Sequence, residues 1–295
     1  MSTFAQIDLS QLPQPAAVQA WGFAAIVQAR LADFTSRMQA AGIAYDTGAL
    51  ESEPAVKLQE TGAYREGLVY QRINEAVLAT SLAWSAGADL DVVAANSQTV
   101  RAAGELDPSL RARAQLAWEA LSQGGTYGGY RYHALSAAPV DLADVAVYGA
   151  EVPGVAPGQV MIVCLGAATG GALAAGALAA VRACFPRAAR KVNDQIVVRA
   201  ATPLPFSVDA TLILSPGADP AAVIAAQTAA LNAFAASRRK IGGSVSPANI
   251  GAVLGYSAAG LVYDVVMRSP AAPIGGDPFS APVLSGARIV WQARS

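Results

Sequence analysis

The sequence predicts an α+β multidomain protein, a helical N-terminal region followed by two small α/β domains with mixed sheets backed by helices. Three observations carry this reading. Apolar residues recur at helical spacing through the first third, the period turns to two from about Leu142, and a second strand–helix succession opens at Phe206. At ordinary domain sizes, 295 residues make roughly two or three domains with buried cores. Boundaries are expected at 1–125, 126–200 and 201–295.

The first helix follows Pro13 and Pro15. Ala20, Ala24, Val27, Leu31, Phe34 and Met38 alternate by four and three, a heptad seam that docks along another helix, and Gly42 ends it. Burying Val27, Leu31, Phe34 and Met38 is worth about 1.5–3 kcal/mol each. A second helix is expected from Ser52, as cap, to about Ala86, with Pro54 in its first turn and Glu53 paired to Lys57. Val69, Ile73, Ala76, Val77, Thr80 and Trp84 line one of its faces. The candidate partner interface is therefore Val27, Leu31, Phe34 and Met38 on the first helix, with Val69, Ile73, Val77 and Trp84 on the second. Gly87 stops the second helix, and Asp89 caps a short helix through Ala95. Asp107-Pro108 opens the next, with a stripe of Leu110, Ala114, Ala117 and Leu121 and a stop at Gly124-Gly125. Thr126–Ser136, aromatic and glycine-bearing, is expected to be a packed connection between domains.

Strands follow near Asp144–Tyr148, Gln159–Leu165 and Gln195–Arg199, with a helix at about Gly171–Phe185 between the last two. Ala201–Pro205 is expected to be a semi-rigid linker about which rigid modules move. The alternation of Phe206, Val208, Ala210, Leu212 and Leu214 with Ser207, Asp209 and Thr211 predicts a half-buried strand. Asp219-Pro220 opens a helix ending in Arg238-Arg239-Lys240, where cations suit the helix dipole, before Gly242-Gly243. Ser246-Pro247 opens another, and Leu261–Met267 and Ala287–Ala293 close a β-α-α-β-β domain.

Composition excludes several functions. With 14% charged and 54% apolar residues the chain is no disordered polypeptide, and a net charge of −1 argues against phosphate or anionic-lipid binding. Lysine occurs only at Lys57, Lys191 and Lys240, so the cations are mostly arginine, which suits protein interfaces. Cys164 and Cys184 form neither a metal spacing nor a disulfide framework and read as inert thiols in a reducing compartment. Met1–Leu12 lacks the pattern of a signal peptide. Val160–Val181 carries no charge, but its short β-type run, its glycines and its alanine-rich remainder read as strand, turn and helix rather than a membrane span.

Each trace of chemistry has a plainer reading. The single histidine, His133, has Asp141 and Asp144 nearby in sequence but no ligand spacing, and reads as structural. Ser237-Arg238-Arg239-Lys240 matches S-x-x-K without the other elements of serine acylases. Gly166–Gly171 occupies a strand-to-helix position but lacks the phosphate-loop residues, and Gly255–Gly260 is weaker still. Glu51, Glu53, Glu60 and Glu66 read as a solvated or partner-facing helix side, and Arg187, Arg190 and Lys191 as charges at a helix end. No catalytic residue, cofactor or metal site is expected. The alternatives are a hydrolase using Ser237 or His133, and a generic adaptor.

A set of motifs runs the length of the chain: Leu50-Glu51-Ser52-Glu53-Pro54, Lys57-Leu58, Ala63-Tyr64-Arg65-Glu66, Arg72-Ile73-Asn74-Glu75-Ala76 and Gly87-Ala88-Asp89-Leu90-Asp91. Asp107-Pro108-Ser109-Leu110-Arg111, Ala117-Trp118-Glu119-Ala120-Leu121-Ser122 and the segment Gly128–Ala137 continue it. Together they resemble the baseplate assembly protein J family. The region after Ala95 is shorter than in many members, and the Gly166–Gly171 loop is compact. The resemblance implies a structural wedge subunit of a contractile tail, in a phage, a tailocin or a related injection particle. It implies that a second copy and a different wedge protein join in an N-terminal helical bundle. C-terminal domains would link neighbouring wedges into a six-fold ring around the spike hub, near the sheath initiator, and the ring would open on contraction. Assembly in the bacterial host cytoplasm, without nucleic acid or membrane insertion, completes the expectation.

Overall fold

The computed structural model describes residues 6–45, 50, 52–122, 125–187, 191–256 and 260–294. They fall into two compact units, residues 7–100 and residues 101–294 with Gln6.

In the first unit, a single 3-10 turn at Leu9–Gln11 precedes α1 (Phe23–Ala40), α2 (Pro54–Ala79) and α3 (Gly87–Ala95). α1 starts at Phe23, so Ala20 lies outside it, and its buried residue is Ile26 rather than a member of the predicted seam. Gly42, at φ +74°, ends the helix as expected. The N-cap of α2 is Glu53, not Ser52, and the helix stops at Ala79, short of Ala86. Lys57 pairs with Glu60 at 3.0 Å instead of Glu53, which sits outside the helix. α3 begins at Gly87, placing Asp89 in its first turn rather than at its cap. α1 and α2 run antiparallel. Near one end Asn74 accepts from Gln19 N (3.0 Å) and donates to Gln19 O (2.8 Å), and farther along Arg30 bridges Glu66 at 3.0 Å.

The second unit opens with α4 (Asp107–Ala120) and α5 (Tyr127–Ala137); α4 packs on α5, and α5 lies on a three-stranded sheet. α5 overturns the expected connection at Thr126–Ser136. Thr126 Oγ1 accepts Gly129 N at 3.0 Å as an N-cap, and Gly129 is buried against the α4 backbone, where an added Cβ would meet Glu119 O at 3.0 Å. The glycines permit close helix packing rather than a turn. In α4, Leu116 and Arg113 are buried, whereas the predicted Leu121 is exposed.

The sheet orders β1 (Leu142–Tyr148), β2 (Gln159–Gly166) and β3 (Gln195–Ala200) side by side, β1–β2 antiparallel and β2–β3 parallel. α6 makes the crossover but spans only Ala177–Ala183, because Gly171 and Gly176 stand at φ +75° and +88°. Leu116, Leu135, Val145, Val147, Ile162, Cys164 and Val181 meet in the core beneath the helices.

The expected linker Ala201–Pro205 is instead structured. Ala201 is buried, and Thr202 begins β4 (Thr202–Leu214). The chain continues through α7 (Pro220–Arg238), β5 (Ser244–Val245), α8 (Pro247–Gly255), β6 (Val262–Ser269), β7 (Ile274–Gly275) and β8 (Ser280–Ala293). β4 lies centrally between antiparallel β6 and parallel β8, and pairs with β8 along its whole length. The prolines fit because of phase. Thr202 N donates to Phe279 O, so Pro203 and Pro205 turn their nitrogens to the opposite edge, where β6 joins only from Asp209. The even residues Phe206–Leu214 pack beneath α7 and α8 with Leu231, Ile250 and Leu254. Asp219 and Ser246 cap these helices as the sequence indicates. β5 and β7 form a separate two-stranded ladder.

Candidate partner interface

Seven of the candidate interface residues lie on α1 and α2, whereas Trp84, expected on the second helix, falls beyond its end at Ala79, and the structure divides them. Val27, Leu31, Phe34 and Met38 are half-buried along one flank of α1, where the Phe34 ring meets Tyr45 edge-on at 5.1 Å. Val77 and Trp84 are half-buried as well. Val69 and Ile73 are 58% and 52% exposed, unlike the other six, which are half-buried.

What α2 turns inward is a face of small side chains: Val56, Ala63 and Gly67 are its buried residues. A Cβ on Gly67 would lie 2.6 Å from the Trp21 ring, and one on Gly62 would lie 2.3 Å from Arg30. Sequence reasoning missed this face because it weighed large apolar residues. The Ala63-xxx-Gly67 spacing, which lets elements approach closely, was the available signal.

The apolar stripe of α2 is consequently left outside. Leu58, Val69 and Ile73 fall within about 60° of one another on a 3.6-residue helix, and Leu58 is 69% exposed. Arg72 and Glu75, paired at 3.4 Å, lie on the same helix beside the stripe. Val69 and Ile73, one turn apart with charged neighbours, form a surface suited to another helix, and Leu58 stands on the same side three turns earlier. Burying the three would contribute about 1.5–3 kcal/mol each.

The residues weighed for chemistry have structural partners. Burial depresses the His133 pKa, and its ring stands edge-on to Tyr132 and Phe185. Asp144 pairs with Arg131 at 2.8 Å and accepts Ile241 N at 2.9 Å. Ser237 Oγ donates to Phe234 O of its own helix at 2.7 Å, and Arg238 stacks on the Phe234 ring. The Gly166–Gly171 loop presents carbonyls to a cation, since Arg239 donates to Gly166 O (2.8 Å) and to Ala168 O. An anion would meet oxygen there. Glu60 and Glu66 belong to Lys57 and Arg30. Burial pushes the thiols of Cys164 and Cys184 up to about 12 and about 11, which disfavours the reactive thiolate. No group of side chains among the described residues has the makings of a metal site, and no described helix is long and apolar enough to cross a membrane. Glu51, Gly124, Arg190 and part of Gly255–Gly260 lie outside the described residues.

The polar group that sequence reasoning missed is Arg113 with Glu105. Both are buried in the second unit, joined by two bonds of 2.8 and 2.7 Å, with Ser109 and Ala102 N also donating to the carboxylate. An arginine within a helix stripe resembles a surface residue, and its partner becomes visible only in the fold.

Comparison with known proteins bears on most of the chain. Residues 51–104 match the Baseplate J-like N-terminal domain and residues 206–285 the Baseplate J-like protein C-terminal domain. The chain is 36% identical over 267 residues to "Baseplate protein J" of Escherichia phage P2, an alignment covering 84% of this chain and 86% of that protein.

Proposed function

Because this chain belongs to the baseplate J family, we propose that it is a structural wedge subunit in the baseplate of a contractile tail. The observation that carries the finer reading is the stripe of Leu58, Val69 and Ile73, which α2 leaves outside its packing with α1. A helical hairpin with one face satisfied and one apolar stripe open is built to enter a larger bundle. In this reading the hairpin takes up helices of a second copy and of a different wedge protein. The sheet-bearing unit links neighbouring wedges into a ring around the spike hub, and the ring rearranges when the tail contracts. The structural partners of His133 and Ser237 support a role without catalysis.

The test replaces Val69→Asp together with Ile73→Asp, positions whose exposure spares the hairpin's own core. The chain is co-expressed with the proteins encoded beside it and the purified complex is weighed by light scattering. The wild-type chain should form a complex holding two copies of itself with one other tail protein. The double variant should keep its helical circular dichroism and fail to assemble. Unchanged assembly would remove the bundle assignment. Leu31→Asp with Phe34→Asp should also block assembly, at some cost to the half-buried α1 flank.

A further inference from the structure

We propose that two copies of this chain join edge to edge through the second half of β8, antiparallel about a twofold axis at Val290, so that their sheets continue into one. β8 is an edge of its sheet, paired only with β4. Arg294 N donates to Leu214 O, so the even residues from Gly286 onward direct their main chain to β4. Ala287, Ile289, Trp291 and Ala293 direct theirs outward. This row is open to solvent: Ala287 and Ala293 are exposed, Trp291 is 50% exposed and Ile289 is half-buried. Earlier in the strand the edge is covered, since Gly242 N donates to Ser280 O. Strand edges that stay single are guarded by charges, prolines or bulges. The opposite edge of the sheet, β6, has such guards in two register shifts and the exposed Asp264 and Arg268. Residues 287–293 hold no proline and keep an unbroken register with β4, and their one charge, Arg288, is bonded to Asp209 at 3.2 Å.

The segment itself names its occupant. Ala287-Arg288-Ile289-Val290-Trp291-Gln292-Ala293 is nearly symmetric about Val290 in size and polarity, so a reversed copy matches it side chain by side chain. In the register centred on Val290, Ile289 lies across from the partner's Trp291 and Ala287 from the partner's Ala293, all four outward-directed and able to exchange main-chain bonds. Ile289 and Trp291 share the helix-covered side of the sheet with Ala210 and Leu212, and an aromatic opposite a β-branched residue is a favourable cross-strand pair. On the other face Arg288 lies across from the partner's Gln292, so no like charges meet. Shifting the centre to Trp291 would set Arg288 against the partner's Arg294, and shifting it to Ile289 would bring Ala293 against the register shift beside Ser285. A twofold contact of this kind closes at two copies and leaves neither β8 edge open. It concerns copies of this chain alone and stands whether or not the α1–α2 hairpin enters a bundle.

The experiment uses the full chain with Cys184→Ser, because Cys184 is half-buried whereas Cys164 is buried. Val290→Cys is added and the protein is oxidised with copper phenanthroline. Across the twofold the two Val290 positions form a pair without ladder bonds, about 4.5 Å apart between Cα atoms, within reach of a disulfide. Gln292→Cys, on the same face, is the control, since its counterpart would lie about 14 Å away along the strand. Val290→Cys should give at least about tenfold more disulfide-linked dimer than Gln292→Cys. Adding Trp291→Lys or Ala287→Pro should cut that yield at least about tenfold. The proline deletes an outward donor and none of the bonds to β4, and thermal unfolding checks that each variant is folded. Val69→Asp with Ile73→Asp should leave the linked dimer unchanged, which separates this contact from the hairpin's. The proposal is overturned if Val290→Cys links no better than Gln292→Cys, or if folded edge variants link as well as their parent. It is also overturned if the hairpin variant abolishes the link, since the edges would then meet only through the bundle.

Discussion

Replacing Arg113 by methionine should expose how the second unit holds its buried charge. Glu105 has no exposed side-chain surface and Arg113 only 6%. Burial by itself pushes the Glu105 carboxyl up. Hydrogen bonds from Arg113, Ala102 N and Ser109, with the Arg113 charge, outweigh it and hold the group below the usual carboxylate range. Arg113→Met removes the counter-charge, and the stranded carboxylate takes up a proton in the folded state. At pH 7, protonating a group whose unfolded pKa is about 4.3 costs about 3.7 kcal/mol, at 1.36 kcal/mol per pH unit. That agrees with the roughly 3–5 kcal/mol seen when one partner of a buried pair is removed. At pH 5 the same protonation costs only about 1 kcal/mol.

The two proteins should therefore converge in acid. In the wild type the folded pKa is depressed, so the carboxylate's contribution is present above the unfolded pKa and is lost as pH falls through the folded value. In the variant the folded pKa is raised, so stability is greatest below the unfolded pKa and declines as pH rises. Urea denaturation followed by circular dichroism measures the difference at both pH values. Adding Glu105→Gln to the variant should restore most of the stability and abolish the pH dependence. An equal loss at pH 7 and pH 5, or one below about 1 kcal/mol at pH 7, would refute the electrostatic account.

Two further outcomes follow from backbone packing. Gly166→Ala would place a Cβ 1.8 Å from Ala172 O, a main-chain atom that cannot swing aside, so the loop held by Arg239 must open. The variant should lose at least about 2 kcal/mol in thermal unfolding, and a neutral result would contradict the close approach. Hydrogen exchange across Thr202–Phe206 should be as slow as in the rest of β4, because this stretch pairs with Ser280–Leu284. Fast exchange there would reinstate the linker expected from the prolines.

Much of the fold was legible because its signals are local. Asp219-Pro220 and Ser246-Pro247 mark helix starts through side-chain caps that reach only two or three residues ahead. The alternation from Phe206 to Leu214 shows one buried face regardless of which strand lies alongside. The motifs that identify the baseplate J family are likewise contiguous stretches of chain. Thr126–Ser136 escaped because its glycines have the same composition in a turn as in a tightly packed helix, and only the backbone of α4 distinguishes the two.

The sequence by itself determined the α+β class, the starts of α4, α7 and α8, the buried face of β4, and the family, because each depends on spacings within one element or one motif. Only the tertiary structure decided that α2 turns Ala63 and Gly67 inward and leaves Val69 and Ile73 outside. It also decided that Ala201–Pro205 leads into a central strand and that Arg113 meets Glu105. The physical reason is range. Periodicity tells which residues avoid water, but pairing is chosen by surfaces brought together from distant parts of the chain, as when β4 finds its partner in β8 beyond two intervening helices.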